Sequence, residues 1–278
     1  IMIGTAPPYI EFLDPRVMFG RAIVLMSVIV AMLLIVFLTF RRQALGFSYE
    51  VWRLSHGLLG VFIVVVGPVH VLQVEWYVAE RWQRTLWMGL TGGALLLLGH
   101  VRIVKPLMMM RRPYRVASVR AEGDRTWTLT VEPAGHGGMT FRAGQFGWLT
   151  LGSSPFSMQQ HPFSFSSSAD DHGRFQFTIR ELGDFTSTIG AVPIGATAFV
   201  EGPYGAFSPD LARRDGLVLI AGGVGIAPMM SILRTLRDRE DRRPVLLVYG
   251  SHHKDEVIFR DELKSLEKKL QFRVVFVL

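Results

Sequence analysis

The 278 residues of this chain include no cysteine. Disulfides, thiolate metal sites and thiol nucleophiles are therefore excluded, so any metal or redox group must be held by other side chains. The chain also lacks a basic tract interleaved with aromatic residues, which argues against nucleic-acid binding. Charge is missing from one long stretch as well, because residues 54–74 contain no Asp, Glu, Lys or Arg.

Long apolar runs are concentrated in residues 1–105, although 19% of the whole chain is charged against 49% hydrophobic. Three segments are predicted to be membrane helices, at residues 22–40, 54–74 and roughly 85–101. The first two are long enough to cross a hydrocarbon core of ~30 Å, and the third needs tilt or its flanking tryptophans. We therefore predict an α-helical transmembrane bundle over residues 1–105, with sequential helices as neighbours.

Basic residues lie on one predicted side of these spans. They follow the first and third segments, whereas the loop between the second and third mixes acidic and basic residues. The positive-inside tendency then predicts an integral membrane protein whose remaining residues are cytoplasmic. This bias and a solvated surface account for the net charge of +7, and we predict membrane lipid and no nucleic acid among the partners.

Two histidines lie inside the charge-free stretch. His56 and His70 are fourteen positions apart, which in a helix gives a rise of about 21 Å and nearly the same face. A polar ring in lipid is costly and normally marks function. Because imidazole is a haem-iron ligand, one helix could hold two haems, one near each leaflet.

The later residues show two further patterns. From Tyr114 to about Phe207, short strands alternate with Gly and Pro turns, which predicts a cytoplasmic antiparallel β-barrel over residues 113–210. From Gly216, apolar strands alternate with helices, which predicts an α/β parallel-sheet nucleotide domain over residues 215–278.

A glycine-rich join, LIAGGVGIAPMMSIL, follows the first strand of this second domain. Gly222, Gly223 and Gly225 allow backbone amides to approach a ligand, and the next helix start favours a pyrophosphate. The spacing departs from the usual G-x-G-x-x-G fingerprint, so a tight turn without a ligand remains an alternative.

Five motifs occur in order behind the membrane segments, namely HPFSFSSS, IRELGDFT, EGPYG, AGGVGIAP and YGSHHKDEVIFRDEL. Together they resemble the ferric reductase and NADPH oxidase superfamily, whose cytoplasmic half is similar to ferredoxin-NADP reductases. The resemblance implies FAD, two haem b groups and NADPH as cofactors, with NADH possible.

The resemblance also implies residue roles. The segment His161, Pro162, Phe163 and Ser164 would lie along the flavin, with Ser164 as the catalytic hydrogen-bond donor near the hydride-accepting nitrogen. The remaining cofactor-binding candidates fall in three groups: for the FAD phosphates, Arg180, Gly183, Phe185 and Thr186; for the turn closing the flavin domain, Gly202 and Tyr204; for the nicotinamide nucleotide, Gly222, Gly223, Gly225, Pro228, Ser251 and His252. A plain strand and turn, or Arg180 paired with Glu181 or Asp184, are the structural alternatives.

In this family His56 and His70 would be axial ligands of an inner and an outer haem. Each haem then needs a second histidine, and His100, which ends the third span among basic residues, is expected at the interface instead. We therefore expect a helix hairpin before Ile1, and a last strand and terminal motif after Leu278.

The predicted function is NAD(P)H-dependent electron transfer across a membrane, from NADPH through FAD and two haems to an acceptor such as oxygen or ferric iron. One alternative is a membrane-anchored flavin reductase without haem that serves a cytoplasmic partner protein. Another is a non-catalytic, cytochrome-like subunit whose flavin region only mediates interactions.

Overall fold

The computed structural model describes residues 15–74, 78–123, 125–211, 215–251 and 253–278. The chain divides into two compact units, Ile1–Val104 and Lys105–Leu278. Each unit is built around its own type of secondary structure, helices in the first and two sheets in the second.

The first unit contains the long helices α1 (Pro15–Arg41), α2 (Tyr49–Gln73) and α3 (Arg81–Gly99), followed by a π-helical turn at His100–Val104. Helix α2 begins where Ser48 accepts a hydrogen bond from the Val51 amide at 3.3 Å, a standard N-cap. Many large apolar side chains of these helices face outward, including Leu58 and Leu96, which are 62% and 77% exposed.

By length and composition, three helices could cross a membrane: Met18–Arg41, Tyr49–Gln73 and Arg81–Met110. The third is 30 residues long and exceeds the predicted segment 85–101 at both ends. Hydropathy marks only its apolar part. The Gln83 side chain accepts from the Glu80 amide at 3.0 Å, which starts the helix four residues earlier than predicted.

The second unit opens with the short helix α4 (Lys105–Met110). Six antiparallel strands follow in the spatial order β4-β3-β6-β1-β2-β5. Their bounds are β1 Tyr114–Gly123, β2 Thr126–Pro133, β3 Phe146–Leu151, β4 His161–Ser164, β5 Phe175–Arg180 and β6 Thr197–Tyr204. The inner face buries an apolar core around Leu129, Phe165 and Phe177.

The predicted barrel is not closed. The edge strands β4 and β5 meet only through the single antiparallel bridge between Phe165 and Phe177. Strand β4 is four residues long, and Phe165 lies just beyond its end, so no continuous ladder joins the two edges. The flavin-type sheet is therefore open at the exit of β4, which is where the predicted site residues lie.

The second sheet is parallel, as the sequence predicted, with the order β7-β8-β9. Its elements are β7 (Leu217–Gly222), α6 (Ile226–Asp238), β8 (Val245–Gly250), α7 (Arg260–Leu266) and β9 (Phe272–Val277). Gly222 pairs with Gly250, and Gly250 with Val277, so the carboxyl ends of all three strands lie level. Loops that follow these strands consequently meet at one edge.

We predict that Gly144→Ala destabilises the second unit. Gly144 has a φ of +92°, and an added Cβ would lie 2.2 Å from the Phe207 carbonyl oxygen, so the backbone must move. A cost of about 1–3 kcal/mol, typical of such strain, should lower the Tm of the full chain in detergent by about 3–10 °C.

Thermal unfolding followed by tryptophan fluorescence measures this shift. Gly137→Ala is the matched control, because its Cβ would meet nothing within 4 Å. Equal Tm values for the two variants would contradict the strain argument.

Candidate functional site

Three predicted flavin residues form an aromatic stack at the open edge of the first sheet. His161 and Phe163 alternate on one side of β4, and Phe185 comes from the short helix α5 (Asp184–Ser187). The ring centroids of His161 and Phe185 are 4.0 Å apart at 23°, and those of Phe163 and Phe185 are 6.2 Å apart at 17°. Half-buried, nearly parallel rings provide a surface that fits a planar heteroaromatic group.

Ser164 ends β4 beside this stack and pairs with Phe146 of β3. Its hydroxyl makes no hydrogen bond within the described part of the chain. The hydroxyl can therefore donate to a ligand without breaking an existing bond. Pro162, by contrast, is exposed and pairs with Trp148, so it contributes to the strand rather than to the stacked face.

The predicted phosphate segment is a turn closed by its own side chain. The Thr186 hydroxyl accepts from the amides of Leu182 and Gly183 at 2.8 and 2.9 Å, and donates to the Gly183 carbonyl at 3.1 Å. In this structure Thr186 therefore stabilises the start of α5, and the two amides point at its hydroxyl. The expected role of Thr186 as a donor to phosphate stays a prediction.

The acidic neighbour of Arg180 is engaged elsewhere. Glu181 accepts from Arg125 at 3.0 Å and from the Trp127 indole at 2.7 Å. The Trp127 hydrogen bond, and then that of Arg125, hold the pKa of Glu181 below its ordinary value. Glu181 therefore has two partners from β2 and the preceding turn. The Arg180 guanidinium lies 3.5 Å from the position a Cβ on Gly223 would occupy.

The glycine-rich join lies at the carboxyl edge of the parallel sheet. Gly222 ends β7, and Gly223 has a φ of +49°, in the left-handed region that favours glycine. The Gly223 carbonyl accepts from the Tyr249 hydroxyl at 3.1 Å, which ties the loop to β8. Pro228 lies in the first turn of α6. Backbone N–H groups there have no acceptor within the helix, so a residue without an N–H is tolerated.

A cavity of about 540 Å³ opens at this edge. Four predicted residues line it together, and they come from three separate motifs: Arg180, Gly222, Gly223 and Ser251. Gly225 and Pro228 lie outside the lining, and His252 lies outside the described residues. Sequence reasoning missed Glu256, whose carboxylate also lines the cavity. Nothing in its motif distinguishes it from the neighbouring acidic residues.

Ser251 is held by its own loop. Its hydroxyl donates to the His253 carbonyl at 3.2 Å, and its amide donates to the Val277 carbonyl at 2.9 Å. The second bond continues the register of β8 and β9 by one residue. It keeps Ser251 at the mouth of the cavity.

The turn expected to close the flavin domain uses its tyrosine differently. The Tyr204 hydroxyl donates to Glu201 and accepts from the Lys105 ammonium at 3.0 Å, while Lys105 also donates to Glu201 at 2.6 Å. Burial is the main cause that raises the pKa of Tyr204. Gly202 has a φ of +153°, which suits the bend.

The two membrane-segment histidines have unlike surroundings. His70 is half-buried, and its Nδ1 is buried without a hydrogen-bond partner. It lines an apolar cavity of about 440 Å³ between α1, α2 and α3. His56 is exposed, with its ring 5.3 Å from that of Trp52. Among the residues described, no group of three or more His, Asp or Glu side chains could hold a metal ion.

Comparisons with known proteins agree on the second unit. Residues 219–277 match the oxidoreductase NAD-binding domain family. The chain is 33% identical to a probable dihydroorotate dehydrogenase B (NAD(+)) electron transfer subunit from Methanopyrus kandleri over 60% of this chain and 57% of that one. It is 30% identical to the toluate 1,2-dioxygenase electron transfer component of Pseudomonas putida over 56% and 46% of the two chains.

A solved structure, the cytochrome P450 reductase of Amycolatopsis, matches 60% of this chain and 51% of its own with a TM-score of 0.52 and 25% identity. The chain thus spans about half the length of these relatives. The second unit therefore resembles these NAD-dependent electron-transfer proteins in sequence and fold.

We predict that Gly223→Val blocks reduction by NADPH. A valine is strained at a φ of +49°, and its side chain would lie against the Arg180 guanidinium in the cavity. Such a misplacement should slow reduction of bound flavin by NADPH by about a hundredfold. Reduction by dithionite, which needs no nucleotide site, should remain at the wild-type rate.

Stopped-flow flavin absorbance measures both rates in the full chain. Gly137→Val is the control, because that position has open space and an ordinary backbone conformation. NADPH reduction of the Gly223 variant at the control rate would place the nucleotide elsewhere.

Proposed function

We propose that this oxidoreductase carries electrons from cytoplasmic NADPH through FAD and two haem b groups to an acceptor on the opposite side of a membrane. The acceptor would be oxygen, giving superoxide, or ferric iron. One observation carries the proposal. A ferredoxin reductase-like module follows three membrane-length helices in the same chain, and the middle helix bears two histidines in an otherwise charge-free segment.

The nucleotide end of the pathway is proposed at the carboxyl edge of the parallel sheet. Gly222 and Gly223 would admit the pyrophosphate to close range of the backbone, and Arg180, whose guanidinium lies beside Gly223, would supply positive charge in the cavity. Ser251, with His252, would contact the adenosine ribose. A basic, hydroxyl-bearing loop there would favour the 2′-phosphate of NADPH over NADH.

The flavin end is proposed at the open edge of the first sheet. His161, Phe163 and Phe185 would form the apolar wall along the ring system, and the Ser164 hydroxyl would donate a hydrogen bond to it. When bound, FAD supplies the conversion of a two-electron hydride into single electrons, and haem supplies the one-electron steps. The protein residues contribute orientation and exclude water.

The membrane end is proposed at His56 and His70. Their separation along α2 corresponds to about 21 Å, enough to place one histidine toward each side of a bilayer. His70 lines an apolar cavity and has a buried Nδ1 without a partner, so it could hold a haem group there. Residues of another segment would have to help hold each haem, because His100 is exposed at the end of the third span.

A second candidate function is a membrane-anchored flavin reductase without haem, passing electrons to a cytoplasmic protein. It is favoured by the names of the two relatives, which are electron transfer components of larger systems. It is also favoured by the unlike surroundings of His56 and His70. Two histidines that each hold a haem would be expected to have similar surroundings. In this function both histidines would be packing residues of the helices.

We predict that the purified full-length protein shows haem bands in its reduced-minus-oxidised spectrum, together with bound flavin. Because each histidine would ligate one haem, His56→Leu and His70→Leu should each remove about half of the haem and leave FAD bound. His100→Leu is the control and should keep the full haem content. Flavin without haem in the wild type selects the second candidate function.

We predict that Ser164→Ala slows hydride transfer from NADPH to FAD without emptying the flavin site. Loss of one hydrogen bond beside the ring, about 1.4 kcal/mol, corresponds to about tenfold in rate. Stopped-flow reduction at saturating NADPH measures it, with Ser153→Ala, an exposed serine of the same module, as the control. If Ser164→Ala reduces its FAD at the wild-type rate, Ser164 has no role at the flavin, and β4 with its following turn is only a structural part of the sheet.

A further inference from the structure

Arg234 is a charged residue in the interior of the second unit. It lies on α6 and is only 6% exposed. A buried guanidinium is costly unless its donors are paired, so the partners of Arg234 indicate what it holds together. None of its contacts belongs to the cavity described above.

The partners of Arg234 belong both to the nucleotide module, residues 215–278, and to the flavin module, residues 113–210. Within the nucleotide module, Nε and Nη2 donate to the two carboxylate oxygens of Glu262 at 2.7 and 2.6 Å, and the guanidinium lies 4.9 Å from the centroid of the Phe259 ring. Across the module boundary, Nη1 donates to the Ser166 carbonyl at 2.6 Å and to the Gln176 side chain at 2.9 Å.

The neighbouring residue adds a bond of the same kind. The Thr235 hydroxyl accepts from the Ala169 amide at 2.8 Å and donates to the Ser231 carbonyl. Two of these three bonds to the flavin module therefore fall on residues 166–169, the segment that leaves β4, and the third reaches Gln176 of β5. This segment begins two residues after Ser164.

We infer that Arg234 is a positioning residue for hydride transfer, which fixes the exit of β4 against α6 and so sets the separation between Ser164 and the glycine loop. The inference rests on the proposed transfer from NADPH to FAD. Hydride transfer needs reacting atoms in near contact, so a small shift between the two modules should affect rate more than affinity.

Arginine is suited to this role by its geometry. Its planar fork engages Glu262 in two parallel bonds while Nη1 reaches the flavin module, and a lysine ammonium cannot do both. Burial acts to raise the pKa of Glu262, but the Arg234 hydrogen bond and charge outweigh it, so that this pKa is lowered and the pair is ionic.

The test compares Arg234→Lys with wild type in the full-length, FAD-loaded protein. At saturating NADPH, we expect the rate constant of flavin reduction to fall about tenfold or more, with the Kd for NADPH changed by less than about threefold. The long-wavelength absorbance of stacked nicotinamide and flavin should weaken. FAD content should stay at the wild-type level.

Hydrogen–deuterium exchange provides a readout that does not depend on turnover. In the Arg234→Lys variant, the amides of residues 166–176 should exchange faster, because the bonds that hold this segment to α6 are weakened. Arg237→Lys is the matched control, since Arg237 lies one turn along α6 and pairs only with the adjacent Asp238. It should change neither rate nor exchange.

Gln176→Leu is a second variant, which tests the same inference if Arg234→Lys does not fold. It removes a flavin-side acceptor of Arg234 and leaves the Glu262 pair intact, so a smaller loss of rate in the same direction is expected.

A wild-type protein whose flavin is not reduced by NADPH would overturn the proposed function itself. If the wild type is reduced but Arg234→Lys keeps the wild-type rate and exchange, only the positioning role fails. A loss confined to the Kd, with the rate constant unchanged, would likewise overturn that role.

Discussion

The register of three parallel strands constrains everything at the candidate nucleotide site. Gly222, Gly250 and Val277 lie level across the sheet, so the glycine loop and the Ser251 loop must leave it at the same edge. A slip of one residue would turn every side chain of a strand to the other face and expose the core of the domain. Burial of side chains such as Leu247 and Tyr249 thus fixes the position of loops that contribute little stability themselves.

A second contribution comes from the other sheet. Arg180 ends β5, more than forty residues before the glycine loop, yet it lines the same cavity. Two modules therefore share one site. Buried apolar residues of both modules belong to one cluster, and polar contacts along α6 add directional bonds between them. Such contacts specify geometry more than they add net stability, since a buried ion pair recovers little beyond its desolvation cost.

Local patterns predicted the elements that local interactions dictate. LVLIAGG is an apolar strand ending in glycine, HPFS is a short strand, and the three apolar runs are long helices, all as expected. The meeting of Gly223 and Ser251 also follows from the alternation of strands and helices, because strand ends of one parallel sheet lie at the same edge. Arg180 belongs to the other sheet and was expected at the FAD phosphates, so its place in this cavity was not predicted.

Local patterns did not predict contacts between distant residues or the contacts of side chains with two available roles. Lys105 bonds to Tyr204 across 99 positions, so no local pattern could reveal that the tyrosine faces α4. A threonine hydroxyl near a helix start can cap the turn or contact a ligand, and Thr186 caps. Closure of the barrel depended on whether β4 continued past Ser164. Phe165 instead makes a single bridge and the chain turns toward α6.

The first unit follows a different physical rule. Its helices expose apolar side chains that a water-soluble unit would bury, such as Leu96 and Leu58, and α2 has no buried residue among its 25. In hydrocarbon this surface is favourable, whereas a polar atom without a partner is not. Two polar side-chain atoms of α2 are buried without a hydrogen-bond partner, the Nδ1 of His70 and the Oε1 of Gln73, so lipid and packing alone leave both interactions unmet. A group that binds imidazole nitrogen would meet the first. His56, which already packs against Trp52 at the other end of the helix, has no such requirement in this structure.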